Sequence, residues 1–517
     1  MGLTAMKKLH IHFLLSAALA LPLRSQKYVA TGGSDANPGT FNEPFASLSR
    51  AVSDTAPGDT IWVRGGAYSL DATLSIGASQ SGSEAGRKCL FAYPGERPLL
   101  DFSKTADGAK GISLKAGYWH IRGFDVSGAP DNGMHISGGS FNIVEFCSFH
   151  GNGDSGLQLD NGASGNQIIN CDSYHNADKP DYGDADGFAP KLSVGSGNSF
   201  FGCRAWENCD DGWDGYLRGA DDVSTILENC WTWGNGYLKD GSDPGPQANG
   251  NGFKMGGGDD GNSLQLMHHF ILRRCLSFLN KGKGFDQNNN AGTLTLLNCT
   301  SSGDRMSNYR IQRLPRAGQT VELRNCVSFG GRVELGDFAA QETNSWMPGF
   351  EVTEDDFLSV DPSAASAQRK PDGGLPDMDF MIPAQGSDLV DAGADLGFPF
   401  SGNGPDLGAF ESGWISTVPR RESIPSNFEL YPNYPNPFNS STSIRYVLAV
   451  KADIRLEVYG LDGRIVALLA DGNRPPGEYV ARWGGTDGIG KPVPSGIYFY
   501  RLIAGNGVRT GKALLVR

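Results

Sequence analysis

Residues 203–213 read Cys-Arg-Ala-Trp-Glu-Asn-Cys-Asp-Asp-Gly-Trp, and the spacing inside this stretch returns along the middle of the chain. An asparagine stands five residues after Cys147, Cys171, Cys203, Cys230 and Cys275, at Asn152, Asn176, Asn208, Asn235 and Asn280. Three residues after the cysteine come Tyr174, Trp206, Trp233 and Phe278, and Phe329 continues that column after Cys326. Ten residues after it come Leu157, Trp213, Phe285 and Tyr309, while Phe188 and Phe253 take the same place on two repeats lengthened by insertions. The period is 24 residues from Cys147 to Cys171 and 27 from Cys203 to Cys230. Short apolar runs, aromatic and β-branched positions and Gly/Asn/Asp corners at such a period describe a parallel β-solenoid, one turn of chain per repeat. Like residues then stack about 4.8 Å apart, the asparagines can hydrogen-bond along the axis, and the coil is right-handed, as parallel crossovers are. The cysteine column reads as buried thiols, because an odd total of nine spread one per turn makes a poor disulfide framework.

Outward from this ladder, residues 28–68 give an extended start, an amphipathic stretch at 45–56 suited to cap the open end, and a strand at Thr60–Val63. Beyond Cys326 the repeats become irregular, and 339–411 is a Pro/Gly/Asp-rich tail expected to pack along the coil. From residue 424 the composition changes to closely spaced alternating strands with turns at Asp462-Gly463 and Gly505-Asn506-Gly507, the pattern of a small β-sandwich. At the other end, Lys7 and Lys8 precede an apolar run at 11–21 and small residues around Ala18 and Ala20, which reads as an export signal. The expected fold class is all-β, a right-handed parallel β-helix followed by a small C-terminal β-sandwich. Its expected boundaries are signal 1–25, capped β-helix 26–411, linker 412–426 and sandwich 427–517.

Composition narrows the function. Among 517 residues, 72 glycines with 20% charged residues favour tight turns over long helices. A net charge of −13 without a long basic cluster excludes a nucleic-acid footprint. No stretch beyond the signal approaches the roughly 18 apolar residues of a membrane helix, so the mature chain is expected to carry no transmembrane segment and to act as a monomer. Two carboxylates, Asp186 and Asp211, stand just before the Gly-aromatic pairs of neighbouring turns, with Asp210 beside Asp211; Asp214 and Lys254 follow such pairs. The insertions at 177–183 and 238–250 project on the same edge and would wall a cleft. Carboxylates crowded in this way repel one another, and Ca²⁺, with its preference for oxygen ligands, is the natural neutraliser; the His/Cys set of a zinc site is missing. Arg310 lies in the Lys254 column two turns further on, placed to meet a substrate carboxylate, with Lys281 and Lys283 as weaker candidates. His268 and His269 fall outside the cluster and read as structural or solvent-facing.

Two resemblances add to this reading. DADGF at 184–188, ENCDDGWD at 207–214, NGNGFKMGG at 249–257 and GFDQNNN at 284–290 resemble the family 9 polysaccharide lyases, right-handed parallel β-helix pectate lyases, over residues 27–411. The resemblance implies that Asp186, Asp210, Asp211 and Asp214 hold a catalytic Ca²⁺, that Lys254 is the base, and that the partner is an acidic polysaccharide of the pectin or polygalacturonate type. Other functions compatible with the coil are a lyase on another uronan, a glycoside hydrolase using paired aspartates, or a non-catalytic glycan-binding β-helix. YPNPFN at 434–439, the Gly477, Tyr479, Trp483 pattern and SGIYFYRL at 495–502 resemble the type A C-terminal sorting domain of type IX secretion cargo. That implies engagement of the type IX machinery and a secreted or surface-attached protein.

Overall fold

Every turn of the central chain contributes one strand to each of three parallel sheets, of 12, 10 and 10 strands, which together form a right-handed β-helix. A computed structural model describes residues 25–414, 428–448, 451–460, 464–504 and 507–516. The export signal, most of the expected linker and the turns at Asp462-Gly463 and Gly505-Asn506 lie outside the described residues. The first sheet runs from Gln26–Val29 to Ala340–Glu342, the second from Gly66–Ser69 to Val327–Phe329, and the third from Leu74–Ile76 to Val333–Leu335.

The register follows the periodicity. Leu157, Phe188, Trp213, Phe253, Phe285 and Tyr309 are successive partners on the third sheet. Their rings stack inside the coil with centroids 4.9, 5.0, 5.1 and 4.8 Å apart from Phe188 to Tyr309. On the second sheet Tyr174, Trp206, Trp233 and Phe278 stack at 4.3, 4.9 and 5.4 Å. Phe329 keeps their register, but Ser302 stands between it and Phe278, so its ring meets Phe357 of the tail instead. The asparagine amides form a ladder: Asn152 donates to Asn176, and the chain continues to Asn208, Asn235 and Asn280 at 2.9, 2.8, 3.0 and 2.8 Å. It ends on Asp304, which accepts from Asn280 at 2.8 Å. Each side-chain oxygen also accepts a corner backbone N–H, as Asn176 does from Asn152 at 3.1 Å, so donors that a tight turn would bury unpaired are satisfied. The nine cysteines are free thiols, eight of them buried.

The end of the coil is covered by a short helix, Leu48–Ser53, whose N-cap Ser47 accepts from Arg50 N and which buries Leu48, Ala51 and Val52. The tail lies against the second sheet, where Phe357, Met378, Phe380 and Leu389 join Trp231, Leu276, Phe278 and Val327 in one apolar cluster. Its polar anchor is Asp172, held by Arg204 of the next turn at 2.8 Å and by Arg369 of the tail at 2.7 Å. Burial by itself would raise the Asp172 carboxyl, but the two guanidinium groups hold it below its ordinary value. Stability from this group is therefore present above the unfolded carboxyl value, near about 3.9, and is lost as pH falls through the lower folded value. Asp172→Asn should cost about 3–5 kcal/mol by leaving buried guanidinium charge uncompensated. Denaturant melts should show that gap at neutral pH and its closure in acid; equal stability at pH 7 would mean that the anchor is dispensable.

The chain divides into two compact units, with Asp395–Asn403 grouped with the C-terminal residues while Gly404–Trp414 belongs to the coil. Within the C-terminal unit a three-stranded and a four-stranded antiparallel sheet share a core that includes Ile444, Tyr446, Leu456, Trp483, Tyr500 and Leu502. Tyr500 ties an edge of it, its hydroxyl accepting from Asn433 N at 2.9 Å and donating to Tyr431 O at 3.2 Å.

Candidate active site

The corner leading into the third sheet is shaped by glycine. A Cβ on Gly187 would lie 2.6 Å from Ala205 Cβ, and one on Gly212 would lie 2.1 Å from Thr232 Oγ1. Only glycine lets successive turns close here, and the residue before each glycine, Asp186 or Asp211, is thereby fixed at the lip of the coil. Asp211 N donates to Asp186 Oδ1 at 3.2 Å, joining the two turns. With Asp210 they form a buried triad in which one carboxylate oxygen of each lies within 4.8 Å of the others. The end of the longer insertion holds the triad: Asn249 N donates to Asp210 Oδ1 at 2.6 Å, and Asn251, just after the insertion, donates to Asp211 Oδ1 through its backbone and side chain at 2.7 and 2.8 Å.

Asp214 and Lys254 are register partners on adjacent strands. Lys254 Nζ lies 2.9 Å from Asp211 Oδ2 and 3.3 Å from Asp214 Oδ1, so the lysine reaches the triad across the lip. Asp214 stands apart from the three, accepting from Tyr216 N at 3.0 Å and facing a second lysine, Lys191, at 3.6 Å. Lys191 is buried; its Nζ donates to Asp186 Oδ2 at 2.7 Å and to Asp184 O at 3.2 Å. It was not among the residues singled out from the sequence. Strand alternation carries the signal for it: Phe188 stacks inside the coil, and three residues on a side chain is expected on the opposite face, where Lys191 meets Asp186.

Burial raises the Asp186 and Asp210 carboxyls well above the ordinary range and Asp211 above it, and repulsion among the aspartates adds to the rise. Burial works the same way at Asp214, but Lys254 and Lys191 outweigh it and hold that carboxyl low. For Lys254 burial disfavours the charge, yet Asp211, Asp214, Asp210 and Asp186 more than compensate and push its pKa well above the ordinary value. Lys191 is raised by Asp186 and Asp214 against its own burial. Asp211 Oδ2 accepts no directed hydrogen bond; Lys254 Nζ is close to it but off the axis such a bond requires. Fully ionised, four carboxylates against two ammonium groups would leave two negative charges in a buried place, and the gathered donors are hard oxygens. Asp186, Asp210 and Asp211 fit a divalent cation of that character.

Arg310 follows Lys254 and Asp286 in the same column, and its Nη1 meets Glu334 of the next turn at 3.1 Å, outside the aspartate cluster. Lys283 pairs with Asp286 at 3.0 Å and Lys281 with Asp243 at 2.6 Å. His268 is buried between Thr225 Oγ1 and Gly215 O, both at 2.8 Å, and burial lowers its pKa to about 4. His269 pairs with Asp222 toward solvent. Neither histidine bonds to the aspartates of the cluster; both open the strand His268–Arg273 of the first sheet.

Comparison with known proteins places this coil in a family. The chain is a β-helical polysaccharide lyase. It belongs to the family described as Pel9A-like, right handed beta helix region, which matches residues 27–332. Pectate lyase L of Dickeya chrysanthemi is 37% identical over 397 residues, 74% of this chain and 90% of that protein. Pectate lyase L of Paenibacillus polymyxa is 38% identical over 394 residues, 72% of this chain and 84% of that one. Among solved structures, pectate lyase Pel9A superposes with a TM-score of 0.68 at 35% identity, over 75% of this chain and 97% of its own. A rhamnogalacturonan lyase superposes at 0.60 with 26% identity, over 69% of this chain and 96% of its own.

Proposed function

We propose that the protein is a calcium-dependent pectate lyase that cleaves polygalacturonate by β-elimination, with Lys254 as the general base. The observation that carries this reading is the Lys254 amine set 2.9 Å from Asp211 and 3.3 Å from Asp214 at the edge of the carboxylate triad. The names of the relatives, pectate lyases over most of the chain, support the substrate. Asp186, Asp210, Asp211 and Asp214 would hold the Ca²⁺. Such an ion would supply positive charge that holds the substrate carboxylate and offsets the negative charge developing beside C5. Lys254 takes the C5 proton, the C5–H electron pair forms the C4–C5 double bond, and the C4–O4 bond breaks with O4 gaining a proton from solvent. The lysine must be neutral to do this, and its four carboxylate neighbours oppose that state until their charge is met. Lys191 keeps Asp186 and Asp214 in place, and Arg310 meets a second uronate carboxylate once it exchanges Glu334 for substrate.

Rhamnogalacturonan is a second substrate for the same chemistry, favoured by the solved rhamnogalacturonan lyase. Initial rates on both polymers, followed by the absorbance of the unsaturated uronate, decide between them: polygalacturonate is expected to react faster by at least about tenfold. Saturated products would instead assign a hydrolase.

The C-terminal sandwich is, in this proposal, a type IX sorting domain that delivers the lyase to the outside or surface of the cell, after the N-terminal signal has directed export. Removing residues 415–517 should leave kcat/KM within about twofold, since the sandwich has its own core. Loss of all activity in a folded truncated protein would overturn the division of labour.

A further inference from the structure

The sixth residue after each column cysteine sits three residues past the end of a second-sheet strand. On four turns it is uncharged: Gly153, Ala177, Cys209 and Gly236. On the last three turns it is Lys281, Arg305 and Arg332, following strands that end at Phe278, Ser302 and Phe329. Those strands pair in register, so three cations rise in one column at about one strand spacing, roughly 4.8 Å. Asp210, of the triad, occupies the next position of the same corner two turns before Lys281.

Stacked like charges repel at this spacing, and one carboxylate answers them. Asp243 of the long insertion pairs with Lys281 at 2.6 Å and feels Arg305 more weakly. The Arg305 guanidinium has no hydrogen bond or ion pair among the described residues and is exposed. Arg332 donates to Met306 O at 3.2 and 2.9 Å, beside Arg305. Lys281, Arg305, Met306 and Asp243 line an open surface depression of about 500 Å³. The insertion joins the two places, since Asn249 holds Asp210 and Gly245 O accepts from Lys281 at 2.6 Å.

We propose that this column is a binding site for further carboxylates of an acidic polysaccharide, so that the polymer extends from the aspartate triad toward the C-terminal turns of the coil. A polyuronate carries one carboxylate per sugar, a ladder of anions matched to a ladder of cations, whereas the corresponding corner of the N-terminal turns holds Ala72, Lys104, Pro130, Gly153 and Ala177, a single isolated cation four turns from Asp210. The inference rests on the uronan-lyase reading above and adds to it the polarity of the substrate.

The test uses the full chain with Arg305→Ala and Arg332→Ala combined, and initial rates on polygalacturonate at several salt concentrations. The expected result is a KM raised about tenfold, the equivalent of about 1.4 kcal/mol. With it go a flatter dependence of KM on salt and a kcat changed by less than about twofold. Lys substitution at both positions should recover most of the affinity. Unchanged KM and salt dependence, or a fall in kcat with KM unchanged, would overturn the proposal while leaving the lyase reading intact. A wild-type protein that neither binds nor cleaves any polyuronate would remove both.

Discussion

Lys254→Ala is expected to lower kcat by about 10³-fold or more, within the range a lost general base produces, while calcium and oligogalacturonate still bind. The amine lies at the edge of the triad, in the strand that pairs with Asp214, while the other amine there, Lys191, is bonded to Asp186. Removing it takes positive charge away from Asp211 and Asp214, so calorimetry should find calcium bound at least as tightly as in the wild type. Lys254→Arg should be nearly as inactive, since a guanidinium stays protonated at workable pH. The carboxylates around Lys254 push its pKa up, and only the neutral amine accepts a proton. Wild-type kcat in saturating calcium should therefore rise with pH until the fold or the substrate fails. An alanine variant with a near-wild-type rate would move the proton to another acceptor.

Asp211→Asn should weaken calcium binding and activity together by at least about 100-fold, a larger effect than loss of a group that merely orients a ligand. The change keeps the Asn251 contacts to one side-chain atom possible but replaces an anionic oxygen by an amide at the position that accepts no directed hydrogen bond. Part of the lost rate should return in excess calcium, which separates a binding defect from a damaged base. Asp186→Asn and Asp210→Asn should behave alike. Unaltered calcium affinity in all of them would reduce these aspartates to ordinary corner residues.

The coil was legible in the chain because its interior repeats: the Asn152-to-Asn280 ladder and the Phe188-to-Tyr309 stack are periodic, and the aromatics carried the register across both insertions. Interruptions were harder to see. Phe329 has the right spacing, but Ser302 breaks the stack one turn earlier. Lys191 carries no periodic signal, because it stands three residues beyond the inward Phe188 and outside the repeated Gly-aromatic corner, although it is bonded to Asp186. Arg310 was found by its column, yet its partner Glu334 lies on the irregular last turn of that column. The direction of the Lys254 shift could not be read from spacing, because it depends on how many carboxylates come within ion-pair reach of a buried amine. The cations Arg305 and Arg332 belong to a corner that is uncharged on the four turns from Gly153 to Gly236, so the repeat itself concealed them.

The most direct test of the central claim is one absorbance time course: purified protein with polygalacturonate, with added calcium in one arm and excess chelator in the other. Calcium-dependent β-elimination predicts a steady rise of unsaturated-uronate absorbance in the first arm, none in the second, and recovery when calcium is returned in excess. Equal rates in both arms, or chain cleavage without unsaturated ends, would contradict it.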